Sequence, residues 1–67
     1  WTTATTSDSL EFSGLNSDSV VIAAVQSAGG SEKTVKAAAS TSGISFTLDA
    51  NGTAGSTKIA WIAISKN

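Results

Sequence analysis

Residues 58–64, Lys-Ile-Ala-Trp-Ile-Ala-Ile, constrain this chain more than any other stretch. An extended strand sends successive side chains to opposite faces. Ile59, Trp61 and Ala63 then share one face, and Ala60, Ile62 and Ile64 share the other. Both faces are apolar, so neither belongs in water and the strand calls for two covers. A second segment has the same character. Residues 20–25 read Val-Val-Ile-Ala-Ala-Val, with four β-branched positions of six, which favours strand over helix.

The chain has 67 residues, room for one domain with a small core. It has no cysteine and no histidine. That removes disulfide staples, thiolate metal sites and the commonest general base. Association with further copies is then the leading route to extra stability. Four Lys against five Asp or Glu give a net charge of −1, which argues against nucleic acid as a partner, because that binding rests on neutralising phosphates. No apolar run approaches the roughly 20 residues of a membrane-spanning helix, and membrane insertion is not expected. No signal peptide is visible, and translation does not begin at Trp1. The expectation is a mature product, a cleaved fragment or an excised domain, located on a virion surface or outside the cell.

Residues 1–7 are rich in Thr without apolar rhythm and read as an N-terminal arm or linker. Residues 8–67 read as a single β domain. Within it, 9–15 predicts a short half-buried strand with Leu10 and Phe12 on one face, closed by a turn at Gly14 and Asn16-Ser17-Asp18. Gly29-Gly30 offers a two-residue hairpin turn after the 20–25 strand. A tight turn there would place Val20, Ile22, Ala24, Val35, Ala37 and Ala39 on a core face and Val21, Ala23, Val25, Thr34, Lys36 and Ala38 opposite. After a turn at 40–43, Ile44, Phe46 and Leu48 alternate with Ser45, Thr47 and Asp49, the clearest half-buried strand in the chain. The 58–64 strand then pairs antiparallel with 44–48, and Lys66 and Asn67 end the chain in solvent.

Five strands with short connections predict an all-β fold, a small antiparallel β-sandwich or partly open barrel. Two doubly apolar strands exceed what one thin domain needs. The surplus predicts a homo-oligomer, a trimer in preference to a dimer, with Val21, Ala23, Val25, Ile62 and Ile64 at the subunit contact.

Candidate chemistry is sparse. Residues 49–53, Asp-Ala-Asn-Gly-Thr, carry oxygen ligands at alternate positions, as calcium prefers. The spacing and closing glutamate of an EF-hand are absent, so a hairpin loop with an Asx-type hydrogen bond is the reading adopted. No metal or other cofactor is expected. Asn51-Gly52-Thr53 also forms an N-glycosylation sequon, relevant only in a eukaryotic secretory protein. Asp8, Glu11, Asp18, Glu32 and Asp49 fall in turns or at strand ends, where solvated charges belong. No Ser sits in a strand–turn–helix elbow, so no catalytic residue is assigned and an enzyme is not expected. Trp1 and Trp61 are the two side chains suited to stacking on a pyranose ring, the basis of a glycan-contact alternative.

Four segments carry a family likeness: Ser13-Gly14-Leu15, the Ser-Val-Val-Ile-Ala run at 19–23, Gly-Ile-Ser-Phe-Thr-Leu at 43–48 and Ser-Thr-Lys-Ile-Ala-Trp at 56–61. Together they resemble small all-β modules near the C-termini of bacteriophage tail fibres, tailspikes and related virion surface proteins, over about residues 10–65. The resemblance implies a trimeric module that caps or trimerises a fibre, some members of which bind host glycans. It carries over no site residue. Three functions follow as expectations: a structural, self-associating β module of a virion or extracellular fibre, a carbohydrate-binding module, or a capsid-decorating protein whose Thr-rich arm docks on a neighbour.

Overall fold

The computed structural model describes residues 1–65; Lys66 and Asn67, expected to end the chain in solvent, lie outside the described residues. Five strands follow in order: β1 (Ser7–Glu11), β2 (Val20–Ser27), β3 (Val35–Ser40), β4 (Gly43–Leu48) and β5 (Lys58–Ile64). All pairings are antiparallel, and no helix occurs among the described residues. The strands divide into a three-stranded sheet ordered β1-β4-β3 and a two-stranded ribbon of β2 and β5. The all-β expectation of five antiparallel strands is met.

The half-polar strand β4 sits in the middle of the larger sheet. Its alternation puts Ile44, Phe46 and Leu48 on the inner face, each buried, while Ser45 and Thr47 stay exposed. Leu15 is the other buried apolar side chain of the core. Val35, Ala37 and Ala39 of β3 and Val21, Ala23, Ile59 and Ala63 of the ribbon pack around this centre. The many alanines keep the layers close, because each adds little area and tight contact must exclude water.

The strand partners differ from those expected. β2 does not form a hairpin with β3, and β5 does not pair with β4. The doubly apolar strands pair with each other instead, in the register Val20↔Ile64, Ile22↔Ile62 and Ala24↔Ala60, with a bulge between Val25 and Ser27. The half-polar strands β1, β3 and β4 likewise sort together. Gly29-Gly30 makes no tight turn, and neither glycine adopts a positive φ. Gly29 is needed there for approach: a Cβ would lie 2.6 Å from the Thr53 Cβ. The segment after β2 crosses between the sheets, held by the Glu32 carboxylate.

β1 begins at Ser7 and ends at Glu11, earlier than the expected 9–15. Residues 1–6 run along the β4–β5 connection: Leu48 N donates to Thr6 O, Gly52 N to Thr5 O and Gly55 N to Trp1 O. The Trp1 nitrogen donates to Thr57 O at 3.1 Å. The Thr-rich arm is thus docked on its own chain.

The expected turn between β3 and β4 is present, with Ser40 opposite Gly43 and only Thr41-Ser42 between them. Gly43 has φ 136°, and an added Cβ would fall on the Leu10 carbonyl oxygen of the neighbouring β1. Gly55 also has a positive φ, 79°, but faces open space. Gly43→Ala should therefore lower stability by about 2 kcal/mol or more, by strain plus loss of the β1 edge, and Gly55→Ala by only about 1 kcal/mol. Urea midpoints of the two variants measure the difference; equal losses would contradict this account of Gly43.

Candidate functional site

Two surfaces stand out. The first is the outer face of the β2–β5 ribbon. Cross-strand partners share a face, so Val20, Ile22 and Ala24 stand beside Ile64, Ile62 and Ala60. All six are exposed, the four larger ones by 44% (Val20), 63% (Ile22), 66% (Ile62) and 53% (Ile64). The outer face of the larger sheet shows the usual alternative, with Ser7, Ser9, Lys36, Ser45 and Thr47 toward solvent. The ribbon face is on the order of 400 Å² of contiguous aliphatic surface, a size that marks contact sites on soluble domains. Near its Ala24–Ala60 rung lies an almost purely apolar hollow of about 240 Å³, lined by Ile22, Ala23, Ala24, Ala60, Trp61 and Ile62.

Of the residues expected at a subunit contact, Ile62 and Ile64 lie on this outer face. Val21, Ala23 and Val25 do not: they are half-buried and turned toward the core sheet, with Val21 and Ala23 packed on its centre. Val20, Ile22 and Ala24, expected in the core, take the outward positions. The phase of β2 follows from its partner, since Ile22 opposite Ile62 must share its side. Matching the two doubly apolar segments as partners was the sequence signal for this face.

The second surface is a cleft at the open side of the molecule, where three strands oppose two. It holds about 100 Å³ and is lined by Trp1, Asp8, Ser9, Leu10, Phe46, Ile59 and Trp61. Both tryptophans singled out in the sequence meet there. Trp61 leaves the inner face of β5 and stacks on Phe12, with ring centroids 5.9 Å apart and planes 20° off parallel, and meets Phe46 at 6.5 Å. It stays 37% exposed. Trp1 packs over Gly52, where any side chain would collide with the indole, and its Nε1 donates to Thr5 O at 3.2 Å. Asp8 lines the same cleft. Its Oδ2 accepts from Thr2 N (2.7 Å) and Thr2 Oγ1 (2.8 Å), and its Oδ1 from Ser9 N (2.8 Å). Burial pushes this carboxyl up, but the Thr2 and Ser9 donors outweigh it and hold the pKa below the ordinary value.

The carboxylates expected as solvated loop charges include one that is not. Glu32 is 2% exposed. Its Oε1 accepts from Gly29 N and from Thr57 Oγ1, both at 2.6 Å, and Thr57 Oγ1 in turn accepts from Thr53 N at 2.8 Å. Its Oε2 is buried without a hydrogen-bond partner. The correction has a plain cause: the carboxylate supplies the acceptor that two loops need where they cross. The Thr57 hydroxyl, then backbone donors, hold its pKa below the ordinary value against the effect of burial.

The loop read for calcium does structural work as well. Asp49 Oδ1 accepts from Lys33 N (2.7 Å) and Thr34 N (3.1 Å), which ties the β4–β5 connection to the start of β3 and lowers the carboxyl's pKa. Among the described residues, no three His, Cys, Asp or Glu side chains gather as a metal site, and no helix is long and apolar enough to cross a membrane. The chain matches no family model, no curated protein and no solved structure.

Asp8, Glu32 and Asp49 have depressed pKa values when folded, against ordinary values of 3.8, 4.5 and 3.8. Such groups stabilise the fold fully above their unfolded values, and that contribution is lost as pH falls through the folded ones. Stability should be level from neutral pH down to about 5 and decline below 4.5, the Glu32 value. Thr57→Val removes the largest cause of the Glu32 shift, so its acid unfolding midpoint should move to higher pH in a circular-dichroism titration. An unchanged midpoint would remove Glu32 from the acid response.

Proposed function

We propose that the chain is a structural, non-catalytic, self-associating β module of a virion or extracellular fibre, which caps or multimerises the fibre through the outer face of the β2–β5 ribbon. One observation carries the reading: Ile22 and Ile62 stand side by side, about two-thirds exposed, at the centre of a ribbon face that has no polar residue on its three facing rungs. A soluble chain with polar side chains available for its other sheet has no folding reason to leave this one greasy. A non-catalytic role is supported by how the carboxylates are used. Asp8, Glu32 and Asp49 each accept hydrogen bonds that fasten one segment to another. The likeness to fibre and tailspike modules points the same way and supports a location on a virion or outside the cell.

A second reading, glycan contact, is favoured by the meeting of Trp1, Trp61 and the ionised Asp8 in one cleft. Indole faces suit the apolar faces of sugar rings, and a carboxylate accepts from hydroxyls. The cleft, about 100 Å³, is small beside ligand pockets in general, which ordinarily span about 300 Å³ or more, and this ranks it second.

Ile62→Asp should leave the circular-dichroism spectrum unchanged and convert the assembled chain to monomer by light scattering, because a charge cannot be buried unpaired at that face. A wild-type chain that stays monomeric near 1 mM, a concentration at which even weak contacts populate, would overturn self-association. For the second reading, a sugar panel that leaves the fluorescence of Trp1 and Trp61 unmoved would remove it.

A further inference from the structure

We infer that Asn51-Gly52 is a self-modifying site: a deamidating pair that the docked arm of residues 1–6 holds shut, so that release of the arm is made permanent by conversion of Asn51 to isoaspartate. The inference goes beyond the self-association reading and does not rest on it.

Asn-Gly occurs once in the chain. Asn51 is exposed, and its side-chain amide takes no part in the hydrogen bonds that fasten this loop. Glycine has no Cβ to obstruct its own nitrogen. When that nitrogen attacks the Asn51 Cγ, a bond forms between them, the Cγ–Nδ2 bond breaks, and ammonia leaves with the glycine's amide proton. Water then opens the cyclic imide. Attack at Cγ gives aspartate, and attack at the main-chain carbonyl carbon gives isoaspartate. No oxidant, metal or second protein enters.

The nucleophile is the guarded group. Gly52 is buried although Asn51 beside it is exposed. Its N–H donates to Thr5 O at 3.0 Å, and the Trp1 indole lies where a side chain of residue 52 would project. The same Thr5 carbonyl accepts from Trp1 Nε1 at 3.2 Å. The arm is pinned at its far end by Trp1 N to Thr57 O (3.1 Å), by Gly55 N to Trp1 O (2.9 Å) and by the Thr2 donors to Asp8. Attack by Gly52 N therefore waits for the arm to lift, a local opening and not global unfolding. Asn16, followed by Ser17, is held by other means: its Oδ1 accepts from Asp18 N at 2.9 Å, with no part played by the arm.

The isoaspartate product does not fit the closed arrangement. It adds a methylene to the main chain immediately before Gly52, which packs against Trp1 and Leu48 with no space for a side chain. It also turns the Asn51 main-chain carbonyl into a free carboxylate. That carbonyl oxygen and the unpartnered Oε2 of Glu32 border the same space, 3.8 and 3.2 Å from where a Cβ on Gly30 would stand. A second negative charge there repels the Glu32 carboxylate that fastens the two connections, and the arm loses the seat it left.

The test follows conversion of Asn51 in the full chain at mildly alkaline pH, by peptide mass spectrometry and an isoaspartate-specific methyltransferase label. The folded chain should convert about tenfold or more slowly than the same chain in urea, since a hydrogen bond and an indole cover must open first. Trp1→Ala removes the cover, and Thr2→Val, at an exposed position, loosens the arm's anchor on Asp8 should the first variant fold poorly. Each should speed conversion several-fold and raise hydrogen exchange at the Gly52 amide, while exchange at Phe46 and conversion of Asn16 stay as in wild type. In the purified isoaspartate form the Gly52 amide should no longer be protected. A folded chain that converts as fast as the unfolded one overturns the guard, as does an unchanged rate in both variants. Exchange at Gly52 and Phe46 that rises by the same factor assigns the opening to global unfolding and overturns it too. A Gly52 amide still protected in the isoaspartate form overturns the permanence.

Discussion

The molecule depends on the burial of one strand's inner face. Among the described residues, Ile44, Phe46 and Leu48 supply three of the four buried core side chains, and all three come from β4. Everything else is positioned by covering them. β1 and β3 flank β4 within its sheet, and the β2–β5 ribbon lies across the inner face with Val21, Ala23, Ile59 and Ala63 pointing down. A ribbon has two faces, however, and β4 needs only one of them. Because β2 and β5 are apolar on both sides, using one side for the core leaves the other in water. The exposed face follows from the same pairing that completes the fold.

The polar groups close the ends of this thin core. Glu32, Asp49 and Thr57 fasten the β2–β3 and β4–β5 connections together, and residues 1–6 lie over the second of these. The cost is one buried carboxylate oxygen without a partner, Oε2 of Glu32. Buried polar atoms left alone are unfavourable. Here the two 2.6 Å hydrogen bonds to Oε1 are what hold the side chain in that position.

Much of the architecture was legible from the chain. The clean alternation at 44–48 specified both the strand and its buried face, and β-branching identified 20–25 as strand. The two faces of 58–64 were divided correctly into Ile59, Trp61, Ala63 and Ala60, Ile62, Ile64. Partnering was not legible, because Gly29-Gly30 imitates a hairpin turn and adjacent strands usually pair. The true partner of β2 lies far along the chain, and only its matching double apolarity announced it. Assigning β2 to β3 reversed the orientation of β2, so Val21, Ala23 and Val25 were placed at a surface they do not reach. The burial of Glu32 was invisible for a related reason: one of its two donors, the Thr57 hydroxyl, comes from a loop brought near only by the crossing between sheets. The cleft of Trp1 and Trp61 could be named by residue type, yet their meeting depends on the unequal strand count of the two sheets.

That unequal pairing also sets an order of events for a chain emerging from its N-terminus. β3 and β4 can zip together as soon as Thr41-Ser42 turns, since their partners are neighbours. β2 cannot, because every rung of its ladder waits for residues between Lys58 and Ile64. Until residues 58–64 follow, this Val- and Ile-rich segment is left with unpaired backbone. Such segments are the ones that join like strands on other chains. The same late closure that completes the native ribbon therefore makes residues 20–25 the point at which nascent copies meet one another too early.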